Sequence, residues 1–308
     1  MIKKVLKRLF GYGFRNVMFN NFGKLIWRVY RFSDKYRSSK DMVFSRCEMY
    51  LITIAYNNEA LIEKQIELVK EYVKDVDYKH IIVDNSTDRK KRSIIKSICD
   101  NNHIEYVPIP LSMEQKICKW LSYYGMSHGL ALNWTYYHLL CQRRPKRFAL
   151  LDHDIFPIRD CNLTERLGEL DFYGVGRFRS DGWYLWPGWC IFNFDAVHSR
   201  TPNFQPYHCK SVYLDAGGGN YFQIYRYYRL RKIYFSRVET HRIKESKDLH
   251  KYDDIYHSDC IQFVDDNWLH LINGSNYCKL NNKDSTVKKI MDNISYFQTK
   301  TFDEDEGF

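Results

Sequence analysis

Glu48-Met49-Tyr50-Leu51-Ile52-Thr53-Ile54-Ala55, then Tyr56-Asn57-Asn58-Glu59, then Lys79-His80-Ile81-Ile82-Val83-Asp84 is the part of the chain that decides its fold. The first eight residues are rich in strand formers and read as a buried strand. The pattern breaks at Tyr56–Glu59. Leu61, Ile62, Ile66, Leu68, Val69 and Val73 then recur at helical spacing. The second apolar run ends in the turn-rich Asn85-Ser86-Thr87-Asp88. A strand, a helix and a second strand at these spacings predict a parallel pair joined by a right-handed crossover.

The alternation continues outward from this unit. A helix is expected over 90–101, a short strand over 104–107 and another helix over 127–141. A buried strand, Arg147-Phe148-Ala149-Leu150-Leu151, then runs into Asp152-His153-Asp154. The predicted class is α/β, a Rossmann-like, mostly parallel sheet flanked by helices. In such open sheets, ligands bind outside the carboxyl ends of the strands. Three ends therefore matter: Thr53–Asn57, Asp84 and Asp152–Asp154. Past Pro157 the alternation loosens into Gly- and aromatic-rich segments, including Gly217-Gly218-Gly219, which read as shorter strands and loops.

Charge separates the N-terminus from the rest. Residues 1–40 hold eleven Lys or Arg and one acid, Asp34, so the whole net charge of +10 sits there and the remaining chain is balanced. Basicity confined to one segment is not the footprint of a nucleic-acid-binding fold. Within that segment, Ile2, Val5, Leu6, Leu9 and Phe10, and again Phe22, Leu25, Ile26 and Val29, fall at helical spacing. A basic amphipathic helix of this kind suits an anionic membrane surface, or else packs on the domain. No apolar run is long enough to cross a bilayer, and charges interrupt any signal-peptide core. The nine dispersed cysteines lack C-x-x-C spacing, which argues against a zinc cluster and for a reducing compartment. The expected location is the cytoplasmic face of a membrane, held peripherally. The wealth of Tyr, Phe and Trp suits either a sugar-binding cleft or an aromatic core.

Five places carry candidate chemistry. Asp152-x-Asp154 puts two carboxylates on one side if the strand stays extended, a donor set for Mn2+ or Mg2+. Asp84 can accept from a nucleotide base or serve its own turn. Asn57 and Asn58 precede a helix whose free N–H groups suit a diphosphate, and either can be its N-cap. Asp215 precedes three glycines and reads as a general base or an Asx turn. His270, in Trp268-Leu269-His270-Leu271, is a core histidine or a ligand. Neither G-x-G-x-x-G nor G-x-x-x-x-G-K is present.

Taken in order, Thr53-Ile54-Ala55-Tyr56-Asn57-Asn58-Glu59, Ile81-Ile82-Val83-Asp84-Asn85-Ser86-Thr87-Asp88 and Leu150-Leu151-Asp152-His153-Asp154 resemble family 2 glycosyltransferases of the GT-A fold. His128-Gly129-x-Ala131-x-Asn133 resembles that family's helix before the D-x-D strand. The likeness is good over about residues 50–157 and looser over 158–278. It implies that Thr53, Tyr56 and Asp84 border the nucleoside, with Asn57 and Glu59 beside them. Asp152 would reach the ribose and the metal-bound diphosphate. Asp154 would be the firmer metal ligand, with Asp152 and His270 completing the site. Trp186, Gly188 and Trp189 would line the acceptor side, as would Gly217 and Gly218, and Asp215 would stand near the base position. The family's usual acidic pair and downstream basic cluster are not recognisable, so Asp215 is its least supported carry-over.

The implied division is a basic N-terminal segment over 1–45 and a nucleotide-sugar-binding half over 46–157. An acceptor-binding half follows over 158–280, then a C-terminal helix and acidic tail over 281–308. The implied reaction is metal-dependent, inverting transfer of a sugar from a nucleoside diphosphate sugar to an acceptor hydroxyl. Glycan or polysaccharide synthesis on a glycan or lipid-linked glycan acceptor fits. A sugar nucleotidyltransferase would carry a Gly-rich basic loop after its first strand, where this chain has Tyr56–Glu59. A non-catalytic nucleotide- or carbohydrate-binding module is the other alternative.

Overall fold

The computed structural model describes residues 2–32, 47–110, 124–209, 212–228, 230–242 and 260–272, and most of 288–299. The acidic tail over 301–308 and the Gly274-Ser275 segment lie outside the described residues.

The expected alternation is present. Strand β1 (Met49–Ala55) leads into helix α2 (Glu59–Tyr72) and strand β2 (Tyr78–Asp84), after an N-terminal helix α1 (Ile2–Phe32). Helix α3 (Arg89–Asn101), strand β3 (Glu105–Pro108), helix α4 (Tyr124–Thr135) and strand β4 (Arg147–Asp152) follow. Helix α4 passes through one π-helical turn at Tyr136–Leu140 before ending at Cys141–Arg143. The short strand β5 (Ile155–Pro157) then leaves the sheet.

The second half is more regular than its sequence suggests. Strands β6 (Phe172–Arg179) and β7 (Gly182–Asn193) join the main sheet as a long hairpin rather than as short strands. Strands β8 (Tyr207–Cys209) and β9 (Val212–Leu214) pair with each other. Strand β10 (Ile233–Phe235) completes a seven-stranded sheet in the order β10-β6-β7-β4-β1-β2-β3. Only β7 pairs antiparallel to its neighbours there. Strands β11 (Val238–Arg242), β12 (Cys260–Val264) and β13 (Trp268–Leu271) form a small antiparallel sheet that ends on β5.

Burial follows from this order. Every residue of β1 is buried, as a central parallel strand covered on both faces must be. Tyr50, Ile52 and Ile54 face one core with Leu130, Trp134 and Phe148, under α4. Met49 and Leu51 face a second core with Val69, Ala149 and Trp189, under α2. The chain leaves β1 toward β2 and β3 on one side and returns as β4 on the other. The β1/β4 junction is therefore the topological switch point, where a crevice opens beyond the strand ends.

Candidate functional site

At the β1 end, the loop residues knit to the β2 loop. Asn57, at φ 49°, donates its backbone N–H to Ser86 Oγ (2.8 Å), and its side-chain oxygen accepts from the N–H groups of Thr87 and Asp88 (3.0 Å each). Asn58 is the N-cap of α2 through Leu61 N–H (3.2 Å), and Glu59 pairs with Lys91. Tyr56 lies half-buried at the rim. Thr53, expected beside a nucleoside, sends its hydroxyl into the layer under α2, donating to Gln65 Oε1 (2.6 Å) with His80 Nε2 2.9 Å away. Burial pulls His80 down to about 3, so it stays neutral.

Asp84 is fully buried and its oxygens are engaged within the protein. It accepts from Ser86 N–H (2.8 Å) and the Tyr106 hydroxyl (2.6 Å), with Arg92 Nε 3.6 Å away. The turn reading of Asp84 describes these contacts.

The β4 end carries two separate clusters. The chain turns at His153-Asp154, so the strand's two-residue alternation stops there, and the two carboxylates have different neighbours. Asp152 Oδ1 lies 3.3 Å from His128 Nε2 on α4. Burial, with the Asp215 charge adding to it, pushes the Asp152 carboxyl up to about 7. Burial pulls His128 down to about 4, while the Asp215 charge acts against that. His128 is therefore neutral, and Asp152 and Asp215 are two carboxyl groups near enough to feel each other. Sequence reasoning had His128 only inside a motif and gave it no role.

Asp154 is almost fully buried and stands 3.8 Å from His270 Nε2. Antiparallel pairing of β13 with β5 sets His270 opposite Ile155, which fixes this approach. The His270 Nδ1–H donates to Gln262 Oε1 (3.0 Å), and that amide is oriented because its Nε2 donates to Thr240 Oγ1 (3.0 Å). His270 Nε2 therefore offers a lone pair toward the carboxylate. Burial, helped by the Arg177 charge, holds His270 down to about 3, so this is not an ion pair. Two acceptors facing one another in a dry place suit a divalent cation between them. A cage of three His, Cys, Asp or Glu is not found among the described residues. A cation here would take Asp154 and His270 from the protein and fill its remaining positions with phosphate or water oxygens, and Asp152, expected as a third ligand, faces His128 instead.

The Asp154 turn is itself clamped. Gln65 Nε2 on α2 donates to the carbonyls of Asp152 (2.8 Å) and Ile155 (2.6 Å). Trp186 packs at 4.5 Å on the His270 ring, and the Arg177 guanidinium lies 5.2 Å over the Trp186 ring. A Cβ at Gly188 would fall inside the Trp186 indole, so the ring lies flat on that glycine. Trp189 is not at the rim. It is a core residue, 1% exposed, with its ring 5.3 Å from that of Trp268.

Asp215 is exposed, and its Oδ1 accepts from Ala216 N–H (2.8 Å) and the Tyr213 hydroxyl (3.3 Å). A buried chain of amides sets its height. Asn133 on α4 accepts from Phe204 N–H (2.8 Å) and donates to Asn203 Oδ1 (3.2 Å), and Asn203 N–H donates to Asn220 Oδ1 (2.7 Å). Gly217, at φ 92°, donates to Phe204 O (2.8 Å) and takes a conformation L side chains rarely adopt. Gly218 packs where a Cβ would meet Leu214 Cβ at 2.4 Å. The glycines thus shape the turn beneath Asp215.

No protein family description and no curated protein matches the sequence. In three dimensions the chain is similar to a mannosyltransferase from Pyrobaculum calidifontis solved with GDP-Man and Mn2+, at 13% identity and TM-score 0.38, covering 65% of this chain and 58% of that one. It is similar to TarS from S. aureus at 13% identity and TM-score 0.33, over 51% of this chain and 30% of that one. It is also similar to the mannosyltransferase Ktr4p from S. cerevisiae solved with GDP, at 12% identity and TM-score 0.35, over 58% and 67%. The chain spans less than two thirds of the length of the first two. Two of these three solved structures are mannosyltransferases.

Proposed function

We propose that the chain transfers a sugar from a nucleoside diphosphate sugar to an acceptor hydroxyl, with inversion, at the carboxyl ends of β1 and β4. The observation that carries this reading is the pairing of two different acidic clusters at one strand end. One is an oriented carboxylate–imidazole pair, Asp154 and His270, and the other is Asp152 beside His128, with the Asp215 charge near enough to act on both.

The two clusters suit the two ends of a glycosyl transfer. Negative charge grows on the departing diphosphate, and Asp154 and His270 would hold Mn2+ or Mg2+, which supplies Lewis-acid stabilisation of that charge when bound. Arg177 lies at the same wall, through Trp186 and His270, and adds a fixed cation. Asp215 is exposed and in reach of solvent, so an acceptor hydroxyl can meet it and lose its proton there. Asp152, with its carboxyl near 7, can hold a hydrogen bond to a donor hydroxyl in either protonation state. Tyr56 at the rim of the β1 end remains the residue best placed for a nucleoside ring. A divalent cation as cofactor and a glycan acceptor belong to this proposal, as does the residue division stated above.

The test is release of nucleoside diphosphate and transfer of labelled sugar from a donor panel, with Asp215→Asn as the paired variant. Loss of a general base lowers turnover about 10²–10⁴-fold. Unchanged turnover in Asp215→Asn, with wild type active, moves the base elsewhere. No turnover in wild type with any donor removes the reading.

A further inference from the structure

We infer that the outer face of α1 docks on an anionic lipid bilayer. The sequence placed Phe22, Leu25, Ile26 and Val29 on one apolar face, and the structure divides them. Ile26 is buried against the domain together with Phe19, while Leu25 and Val29 point away. The inner face is firmly seated. Asn20 donates to His208 O (2.9 Å) and accepts from His208 N–H (2.8 Å), and the Trp27 indole N–H donates to Pro202 O (3.1 Å).

What remains outside is a stripe. Met18, Leu25 and Phe32, each two helical turns from the next, are 50%, 60% and 71% exposed, and Val29 extends the row. Lys24 and Arg28 are exposed along its flank. Three large apolar side chains in a line on a soluble surface mark an interaction site.

Charge selects the occupant. Helix α1 contains eight Lys or Arg and no acid. A second copy of this helix would bring like charges together, whereas an anionic bilayer attracts each cation and takes up the apolar row at its acyl boundary. The helix lies in the surface plane, since no helix among the described residues is long and apolar enough to cross a membrane.

The docked helix touches the candidate base through two contacts. The Phe19 ring lies 6.0 Å from Tyr213, and the Tyr213 hydroxyl donates to Asp215 Oδ1. Phe19 belongs to the seated inner face, so these contacts reach Asp215 from the side of the helix away from the bilayer. The docking does not rest on the glycosyl-transfer reading.

The test is co-sedimentation of the full chain with phosphatidylcholine vesicles, with and without a third phosphatidylglycerol, at low and high salt and without any donor. Binding to the anionic vesicles is expected to exceed binding to neutral ones at least tenfold and to weaken with salt. Leu25→Ser with Phe32→Ser should weaken it at least tenfold. Lys24→Gln and Arg28→Gln should each weaken it about fivefold. Melting temperatures of the Leu25, Phe32 and Arg28 variants should match wild type, because these side chains face outward, whereas the Lys24 ammonium also lies 5.6 Å over the Tyr207 ring. Equal binding to both vesicle types, absence of binding, or wild-type binding by the apolar pair overturns the inference. So does a concentration-dependent dimer abolished by Leu25→Ser, which would assign the face to a second copy. Vesicle binding without sugar transfer would leave docking intact and sink only the functional reading.

Discussion

Replacing Asp152 by Asn should make the metal-free protein more stable at neutral and higher pH. The Asp152 carboxyl is raised from an ordinary 3.8 to about 7 by burial and by the Asp215 charge. A group whose folded-state value is raised favours folding when protonated. Its stability is fully present below the unfolded value, near 4, and is lost as pH rises through 7. A shift of about three units corresponds to about 4 kcal/mol as a ceiling. The side chain is 19% exposed, and water reaching it lowers that to about 2 kcal/mol. Asparagine keeps the shape and carries no charge, so it removes this cost. The assay is urea unfolding of both proteins from pH 4 to pH 8.5 in chelator. The variant should gain about 2 kcal/mol above pH 7, less at pH 5.5, and nothing near pH 4. A gain of the same size at all pH values, or a variant less stable at pH 8, would refute the claim that Asp152 is held against its charge.

The remaining predictions concern the two clusters and their supports. Gln262→Leu removes the acceptor that orients His270 and should weaken Mn2+ binding about tenfold or more, read by titration calorimetry. His270 sits near 3, so its NMR ring signals should not titrate between pH 5 and 8. Asn133→Ala strands Phe204 N–H in the core, while Asn203 Oδ1 keeps the N–H of Gln205, and should cost about 1–3 kcal/mol in denaturant unfolding. Gly129→Ala pushes a Cβ to 2.7 Å from Phe204 O, which is backbone, and should lower stability by about 1–3 kcal/mol in the same assay.

The first half of the fold was legible because its signals are local. A buried run, a capped amphipathic helix and a second run ending in turn residues specify one right-handed unit, and β1, α2 and β2 occupy nearly the expected residues. The second half was not legible, because β6 and β7 join the main sheet through pairing with β4, a non-local contact that leaves no periodic mark. The site divides similarly. Asp152 and Asp154 were visible as a strand end, but their different neighbours depend on the turn at His153, which Gln65 clamps from a different element. His128, Gln262 and Arg177 each matter through a partner brought by tertiary packing, so no spacing could announce them. Trp189 shows the reverse error. An aromatic-rich segment looks like a ligand wall whether its rings face solvent or core, and the break in the β6/β7 register over these residues leaves Trp186 half-buried on the core that encloses Trp189.

The sharpest measurement is thermal unfolding of wild type and Asp154→Asn with nucleoside diphosphate sugars, each with and without Mn2+. A ligand at about a hundred times its Kd adds about 2.7 kcal/mol, which raises Tm by about 4 °C for a chain of this size. One nucleotide with Mn2+ should produce that rise in wild type and not in Asp154→Asn. No rise with any nucleotide, or an equal rise in the variant, would contradict a diphosphate and cation meeting at the β4 end.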